Sequence, residues 1–305
     1  MPTRITDVPL RLITPAALRR WSLRCHAAGM SVGLVPTMGA LHAGHASLMK
    51  RALSDCDRVV VSIFVNPTQF GPSDDLDRYP RPLEADLALA AAMGAHAVFV
   101  PDADGMFPPG FATSVRVGGG LADRLEGASR PGHFEGVALV VAKLLVAARP
   151  DRAYFGQKDA QQCAVVRRLA RDLDTGVEIV VCPTVREADG LAVSSRNAYL
   201  SPEDRVRARA IPAGLAAAAA RFESGERDAA VLTEAVRRPL QAAGATIDYV
   251  AVVDPEAYKE VETPGPGCEI VVAARIGNTR LIDVLQLGVD VAPVLLGASG
   301  KACSG

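Results

Sequence analysis

The chain predicts an α/β protein: a doubly wound parallel sheet followed by a smaller α+β C-terminal domain. Short apolar runs rich in β-branched residues alternate with helix-like stretches as far as residue 181. The run 58–65 (RVVVSIFV) is apolar without alternation, the pattern of a strand covered on both faces of a parallel sheet. Near residue 200 the character changes to Ala-rich helices and then three strand-like runs. Alternating β and α segments with short links build parallel sheets through helical crossovers. The domain boundary therefore falls within 184–200, giving domains 1–185 and 186–305.

Each element has a local signal. Thr14-Pro15 reads as a helix cap followed by Pro in the first turn, with Gly29 as the stop. A strand at 32–35 leads into a helix whose apolar periodicity is clearest over 47–53. The strand at 58–65 is followed by a long polar loop, 66–81. A helix at 83–93 stops at Gly94, and a strand follows at 97–100. The spacing then predicts a helix over 134–148, a strand at 153–155, a helix at 160–173 and a strand at 177–181. Ser201-Pro202-Glu203-Asp204 is a strong helix start, and Ala-rich helices follow at about 206–223 and 227–242. Strands are expected at 246–254, 269–274 and 279–284, with a turn at 263–267 (TPGPG). Beyond Leu287 the chain reads as a loosely ordered end.

Composition narrows the function. With 33 basic and 34 acidic side chains, net charge is -1, so there is no general electrostatic case for nucleic acid or an anionic membrane. Arg4, Asp7 and Arg11 stand where a signal peptide would need an apolar core. The apolar stretch 137–148 is broken by Lys143 and is too short to span a bilayer. Six dispersed cysteines fit a reducing compartment better than a disulfide framework. These features predict a soluble cytoplasmic protein without nucleic-acid or membrane partners.

The most informative segment is His42-Ala43-Gly44-His45, reached through Pro36-Thr37-Met38-Gly39-Ala40-Leu41. It lies where a strand hands over to a helix. A helix N-terminus offers unpaired N–H groups and partial positive charge, a ready phosphate site. Two imidazoles three residues apart can donate to the oxygens of one phosphoryl group and lower the barrier to its transfer. The tetrapeptide alone leaves two other readings open: a pair of zinc ligands, or a polar helix start. Zinc would need a third ligand, and no cysteines form a C-x-x-C pair.

Four further segments add to this one. They are Asn66-Pro67-Thr68-Gln69-Phe70, Arg130-Pro131-Gly132-His133-Phe134-Glu135-Gly136, Phe155-Gly156-Gln157-Lys158-Asp159 with Gln161-Gln162, and Arg186-Glu187 through Asp189-Gly190-Leu191-Ala192-Val193-Ser194-Ser195-Arg196-Asn197. Together with the His motif, and in this order, they closely resemble the pantoate–β-alanine ligase family. The likeness runs over nearly the whole chain, to Ile276-Gly277-Asn278-Thr279-Arg280-Leu281-Ile282-Asp283. It implies a Rossmann-like nucleotidylyltransferase domain that binds ATP and pantoate, a smaller C-terminal lid domain and a homodimer. It implies a reaction in which pantoate and β-alanine are joined with ATP and Mg²⁺ through a pantoyl adenylate, releasing AMP and pyrophosphate. Gln157 and Ala160 depart from the family, which often has Glu and an aromatic residue there; both flank an intact Lys158-Asp159.

The resemblance and the chemistry together assign residues. His42, His45, Lys158, Ser194, Ser195 and Arg196 are expected to be catalytic and to hold ATP, with Met38, Gly156, Asp159 and Val185 completing the nucleotide site. Lys158 offers a mobile point charge at the end of a predicted strand, where doubly wound sheets bind ligands; a lone Lys is otherwise a solvated one. Asp159 suits the ribose, or else a helix N-terminus. Gln69 and Gln162 are expected to contact pantoate. Neutral amides suit it, because an Arg clamp would stabilise the ground-state carboxylate and blunt its attack. Met38, Phe64, Val137, Val140 and Val141 would form its apolar wall, although valines at helical spacing also read as plain core. Asn66 and Arg196 are the candidates for β-alanine, with Arg130 as a further one, and His133 reads as structural. Asp86 is the candidate protein ligand for Mg²⁺, against a solvated helix-face Asp.

Two other functions remain in view. A nucleotidylyltransferase with a phosphate-bearing acceptor would call for extra Arg or Lys where Gln69 and Gln162 stand. A nucleotide-binding regulator without turnover would not need His42, His45, Lys158 and Arg196 together.

Overall fold

The computed structural model describes residues 8–72 and 76–293. In chain order the elements are β1 (Leu10–Leu12), α1 (Pro15–Ala27), β2 (Val32–Thr37), α2 (Ala43–Asp55), β3 (Arg58–Ile63), α3 (Leu83–Met93), β4 (Ala97–Phe99), α4 (Ala103–Met106), α5 (Glu126–Ser129), α6 (His133–Ala148), β5 (Arg152–Gly156), α7 (Ala160–Asp172) and β6 (Glu178–Cys182). There follow α8 (Pro202–Ala208), α9 (Ala210–Glu223), α10 (Ala229–Ala242), β7 (Thr246–Val253), β8 (Glu269–Ile276) and β9 (Thr279–Gln286). Short 3-10 turns stand at Pro67–Gln69, Leu76–Arg78, Gln157–Asp159 and Ser195–Tyr199.

Six strands form one sheet in the order β1-β4-β3-β2-β5-β6, parallel throughout. The order reverses at β2, which has β3 on one side and β5 on the other. In such sheets ligands bind beyond the strand C-termini at that reversal. β7, β8 and β9 form a separate antiparallel sheet.

The structure bears out the expected α/β class with a smaller α+β part, and the local signals explain it. Thr14 Oγ1 accepts from the Ala17 N–H at 3.1 Å, capping α1 with Pro15 in its first turn. Gly94 ends α3 with φ of 88°. Ser201 Oγ accepts from the Asp204 N–H at 3.1 Å ahead of α8. β3 is buried from Val59 to Ile63, as its unbroken apolar run requires. Several details differ from the sequence reading, among them the short helices α4 and α5, which it did not include. β1 escapes it, since three residues are too few to show a period. The helix expected from about 206 is two helices meeting at Arg209, because Pro212 removes a donor from the first turn of α9.

By internal packing the chain divides into two units. The first takes residues 1–123, 130–156 and 165–182. Its core includes Val35, Met49, Val59, Val61, Val98 and Tyr154. The second takes 124–129, 157–164 and 183–305, so it starts near the boundary read from sequence but also gathers two earlier segments. Polar bonds within that unit account for both. The Arg280 guanidinium donates to both oxygens of buried Glu126 at 2.8 and 2.7 Å. Gln157 Nε2 donates to Asp290 Oδ2 at 2.8 Å. Up to residue 293 the end beyond Leu287 is thus tied down at Asp290; from 294 it lies outside the described residues.

The second unit's core stacks α9 and α10 against its sheet, with Leu215, Leu232, Val236 and Ile270 fully buried. Gly214 lets the two helices touch: a Cβ there would lie 2.9 Å from Val236 Cα and 3.0 Å from its carbonyl oxygen. Ala in place of Gly favours a helix by about 1 kcal/mol, but overfilling packed backbone costs about 1–3 kcal/mol. Gly214→Ala is therefore expected to be destabilising by about 1–2 kcal/mol, read as a lower urea midpoint at unchanged slope. A raised midpoint would show that α9 and α10 separate freely.

Candidate active site

The segment from β2 into α2 is held from several sides. Thr37 Oγ1 donates to the Ser62 carbonyl at 2.7 Å and accepts from the Gly39 N–H at 3.1 Å. Gly39 and Ala40 both take positive φ, 83° and 50°. Asp86, from α3, accepts from the Ala40 N–H at 2.9 Å and the Leu41 N–H at 2.7 Å. It is 2% exposed. A Cβ on Gly39 would lie 2.9 Å from Asp86 Oδ2, so this glycine serves both the left-handed turn and the carboxylate's approach. Each of its oxygens accepts one backbone N–H, so Asp86 anchors this loop and is not the solvated helix-face Asp.

That loop delivers two histidines to the start of α2. His42 is the N-cap, and its Nδ1 accepts from the Gly44 N–H at 3.2 Å. His45 Nδ1 in turn accepts from the His42 N–H at 3.2 Å. The pair forms a capping box in which imidazoles stand where hydroxyl and carboxylate side chains usually do. A Cβ on Gly44 would sit 3.0 Å from the His42 ring, so the glycine gives the folded-back ring room. The ring centroids are 4.1 Å apart. Acceptance at Nδ1 assigns the proton of each neutral ring to Nε2. Each histidine is thereby a fixed Nε2–H donor at the positive end of a helix.

A second cluster forms around Gln69, also in the first unit. Asn66 Nδ2 donates to Gln69 Oε1 at 3.0 Å and to the Gly136 carbonyl at 3.1 Å. Asn66 Oδ1 accepts from the Thr68 N–H and hydroxyl. Gln69 Nε2 reaches Met38 Sδ at 3.1 Å. His133 Nδ1 donates to the Gln69 carbonyl at 2.9 Å, and Arg130 Nη2 reaches the same oxygen at 3.4 Å. Asn66 is 1% exposed, and its amide is bonded at both nitrogen and oxygen, so it holds the turn that carries Gln69. His133 has the structural part expected of it, and Arg130 shares it. α6 approaches closely because Gly136 has no side chain; a Cβ there would overlap the Thr68 carbonyl. Phe64, Val137, Val140 and Val141 are all buried.

The remaining expected residues belong to the second unit, save Gly156, which ends β5. Lys158 and Asp159 lie on the turn after it, with Nζ 3.8 Å from Oδ1. Gln162 follows in the first turn of α7, half-buried. The loop with Val185, Ser194, Ser195 and Arg196 is braced at many points. The Val193 N–H donates to the Val185 carbonyl at 2.9 Å. Ser194 Oγ accepts from the Arg196 N–H at 3.3 Å. Arg186 donates to both oxygens of Asp283 at 2.7 and 3.0 Å. Arg205 bridges Glu187 and Asp189, each at 2.8 Å. Hydrogen bonding to Arg205 holds the Glu187 carboxyl below its usual range.

Among the described residues no three His, Cys, Asp or Glu side chains converge to hold a metal ion. The donors around the His pair are N–H groups, and the Asp86 carboxylate is engaged by backbone. This set does not fit a protein-built cage for Mg²⁺ or zinc. A cavity of about 460 Å³ in the first unit, lined by Pro15, Phe99, Met106, Phe111, Lys143 and Leu144, includes none of the expected ligand residues.

Comparison with known proteins agrees with this arrangement. Residues 11–286 match the family model described as pantoate-beta-alanine ligase. A pantothenate synthetase of Rhizorhabdus wittichii is 52% identical over 276 residues, 90% of this chain and 97% of that protein. The crystal structure of pantothenate synthetase from Thermus thermophilus superposes with a TM-score of 0.85 at 46% identity, covering 91% and 99% of the two chains. A pantoate-beta-alanine ligase from Francisella tularensis, solved with Beta-gamma ATP and beta-alanine, gives 0.74 at 33% identity, covering 91% and 97%. With its sheet order, its paired histidines and half of its residues shared with such relatives, the chain belongs to the pantoate–β-alanine ligase family.

Proposed function

We propose that the chain joins pantoate to β-alanine at the expense of ATP, through a pantoyl adenylate, releasing AMP and pyrophosphate. The observation that carries the reading is the imidazole capping box of His42 and His45, two fixed donors at a helix start beside the sheet's reversal point.

In the first step an oxygen of the pantoate carboxylate attacks the α-phosphorus. The bond from that phosphorus to the bridging oxygen breaks, and pyrophosphate leaves. Charge grows on the α-phosphate oxygens, where donors already in place lower the barrier. His42 and His45 supply those donors. Lys158, Ser194, Ser195 and Arg196 take the triphosphate, and Asp159 the ribose. Met38, Gly156 and Val185 complete the nucleotide contacts. Gln69 and Gln162 orient pantoate by neutral hydrogen bonds against Met38, Phe64, Val137, Val140 and Val141. In the second step the uncharged β-alanine amine attacks the adenylate carbonyl, and AMP departs with the C–O electron pair. Arg196 meets the β-alanine carboxylate. Mg²⁺ in this reading rides on phosphate oxygens and water, its usual partners in nucleotide sites. The reading takes the enzyme as a cytoplasmic homodimer, as the family resemblance implies.

Three outcomes test it. His42→Ala and His45→Ala are each expected to cost about 10²–10³ in turnover, with circular dichroism unchanged. Near-normal turnover would remove that histidine from the mechanism. Gln69→Ala and Gln162→Ala are expected to weaken pantoate by about 0.5–1.5 kcal/mol while ATP affinity holds; calorimetric titration with the reverse pattern would contradict the assignment. Finally, labelled pyrophosphate should exchange into ATP with pantoate and Mg²⁺ present and β-alanine absent. Exchange that requires β-alanine would mean a concerted reaction, and exchange without pantoate would mean an adenylylated enzyme.

A further inference from the structure

Two buried glutamines flank the segment that carries Lys158, and both bond to other parts of the protein. Gln157 Nε2 donates to Asp290 Oδ2 at 2.8 Å, while its Oε1 accepts from the Thr184 N–H at 3.2 Å. Asp290 Oδ2 also accepts from the Gln286 N–H at 2.7 Å, so this carboxylate is fixed to the end of β9. Gln161 Oε1 accepts from the Glu126 N–H at 3.1 Å, and its Nε2 donates to the Arg124 carbonyl at 2.9 Å. Glu126 is pinned in turn by Arg280, which also holds Asp248 at 2.6 Å, and by the Tyr249 hydroxyl at 3.2 Å. Gln157 and Gln161 are 8% and 5% exposed. All of these residues belong to the second unit.

We infer that Gln157 and Gln161 are positioning residues: a two-sided amide clamp that fixes the turn bearing Lys158, with Asp290 as the acceptor that requires an amide at position 157. The inference rests on the reading of Lys158 as the cation for the triphosphate. A flexible four-carbon ammonium serves an in-line transfer only if its backbone is fixed, since small misplacements cost much rate. Gly156, in register with Cys182 in the sheet, brings no side chain to the turn, and the side chains that follow it add rigidity. The amide at 157 is chemically specific. One face must donate to a carboxylate and the other must accept from an N–H, which glutamine does and glutamate does not. The charged groups of β9 are paired elsewhere, Arg280 with Glu126 and Asp248 and Asp283 with Arg186, leaving Asp290 to face position 157.

The test is pyrophosphate exchange at pH 8 by the full-length enzyme, for wild type, Gln157→Glu, Gln157→Glu/Asp290→Asn, Lys158→Ala and Gln157→Glu/Lys158→Ala, each with a thermal melt. Gln157→Glu sets two carboxylates against each other and should lower the exchange rate by about tenfold or more. Adding Asp290→Asn removes one of the two opposed carboxylates; because Asp290 Oδ2 alone takes both Gln157 Nε2 and the Gln286 N–H, the asparagine can donate to residue 157 only by giving up the Gln286 bond, and it should recover part of the rate. In the Lys158→Ala background Gln157→Glu should cost little more, because the group being positioned is gone. A general weakening of the fold would instead add to the loss. Wild-type exchange by a folded Gln157→Glu enzyme would overturn the clamp, as would failure of Asp290→Asn to rescue it or full additivity with Lys158→Ala. If Gln157→Glu does not fold, the double variant decides alone: a folded Gln157→Glu/Asp290→Asn enzyme should exchange at a rate between those of wild type and Lys158→Ala, and one no faster than Lys158→Ala overturns the proposal. Undiminished exchange by Lys158→Ala would refute the role of Lys158 itself, a result separate from the Gln157 and Asp290 arms.

Discussion

A helix begins with more N–H groups than it can pair, and at α2 imidazole nitrogens meet that need. Much of the first unit's site is arranged around this constraint. Because His42 and His45 spend Nδ1 on backbone N–H groups, Nε2–H is the donor of each ring. Because the His42 ring folds over residue 44, a side chain at that position would crowd it. Because the cap fixes where α2 starts, the preceding turn must hold positive φ at Gly39 and Ala40. That costs energy at a non-glycine residue, and Asp86 offsets it with two hydrogen bonds to charged oxygens. Such bonds contribute about 1.5–3 kcal/mol each. In the proposed mechanism the capping interaction and the donor to the phosphoryl group are thus one structural device.

The Gln69 cluster follows the same logic with neutral groups. Asn66, Gln69, His133 and the Gly136 carbonyl satisfy one another inside the protein. A buried polar network is stable only when its members are paired, and here pairing also fixes a direction. Asn66 consumes its own amide to orient that of Gln69. Fixing an amide by amides keeps net charge out of the place where the proposed reading seats an anionic acid.

Much of the architecture was legible in the sequence. The caps at Thr14 and Ser201, the stop at Gly94 and the unbroken apolar run of β3 are local signals, and each element stands where it was read. β1 was hidden because three residues show no period. The break between α8 and α9 was hidden because Pro212 sits inside an otherwise helical alanine run. In the site, the His pair and Gln69 stand out in sequence because their chemistry is unusual for their position. What holds them does not: that Asp86 anchors the loop before α2, and Asn66 the turn of Gln69, shows only in partners distant in sequence or shared with backbone. The passage of 124–129 and 157–164 into the second unit depends on pairs such as Glu126 with Arg280, 154 residues apart, which no local pattern records.

The distribution of charge then has a reason in the proposed chemistry. An attacking carboxylate and a triphosphate are both anions, so cations are needed, but not everywhere. A fixed guanidinium on the attacking oxygen would stabilise the ground state as much as the transition state and yield no rate. Neutral donors on the acid, fixed N–H donors where charge grows and mobile cations on the leaving group avoid that loss. The residues follow this division: amides at Gln69 and Gln162, imidazoles at His42 and His45, and ammonium and guanidinium at Lys158 and Arg196. The carboxylates that brace these segments are each engaged by a partner of their own, Asp86 by backbone, Glu187 and Asp189 by Arg205, and Asp283 by Arg186. Their charge is spent in holding the protein together, and the cations assigned to the triphosphate are not the ones that neutralise it.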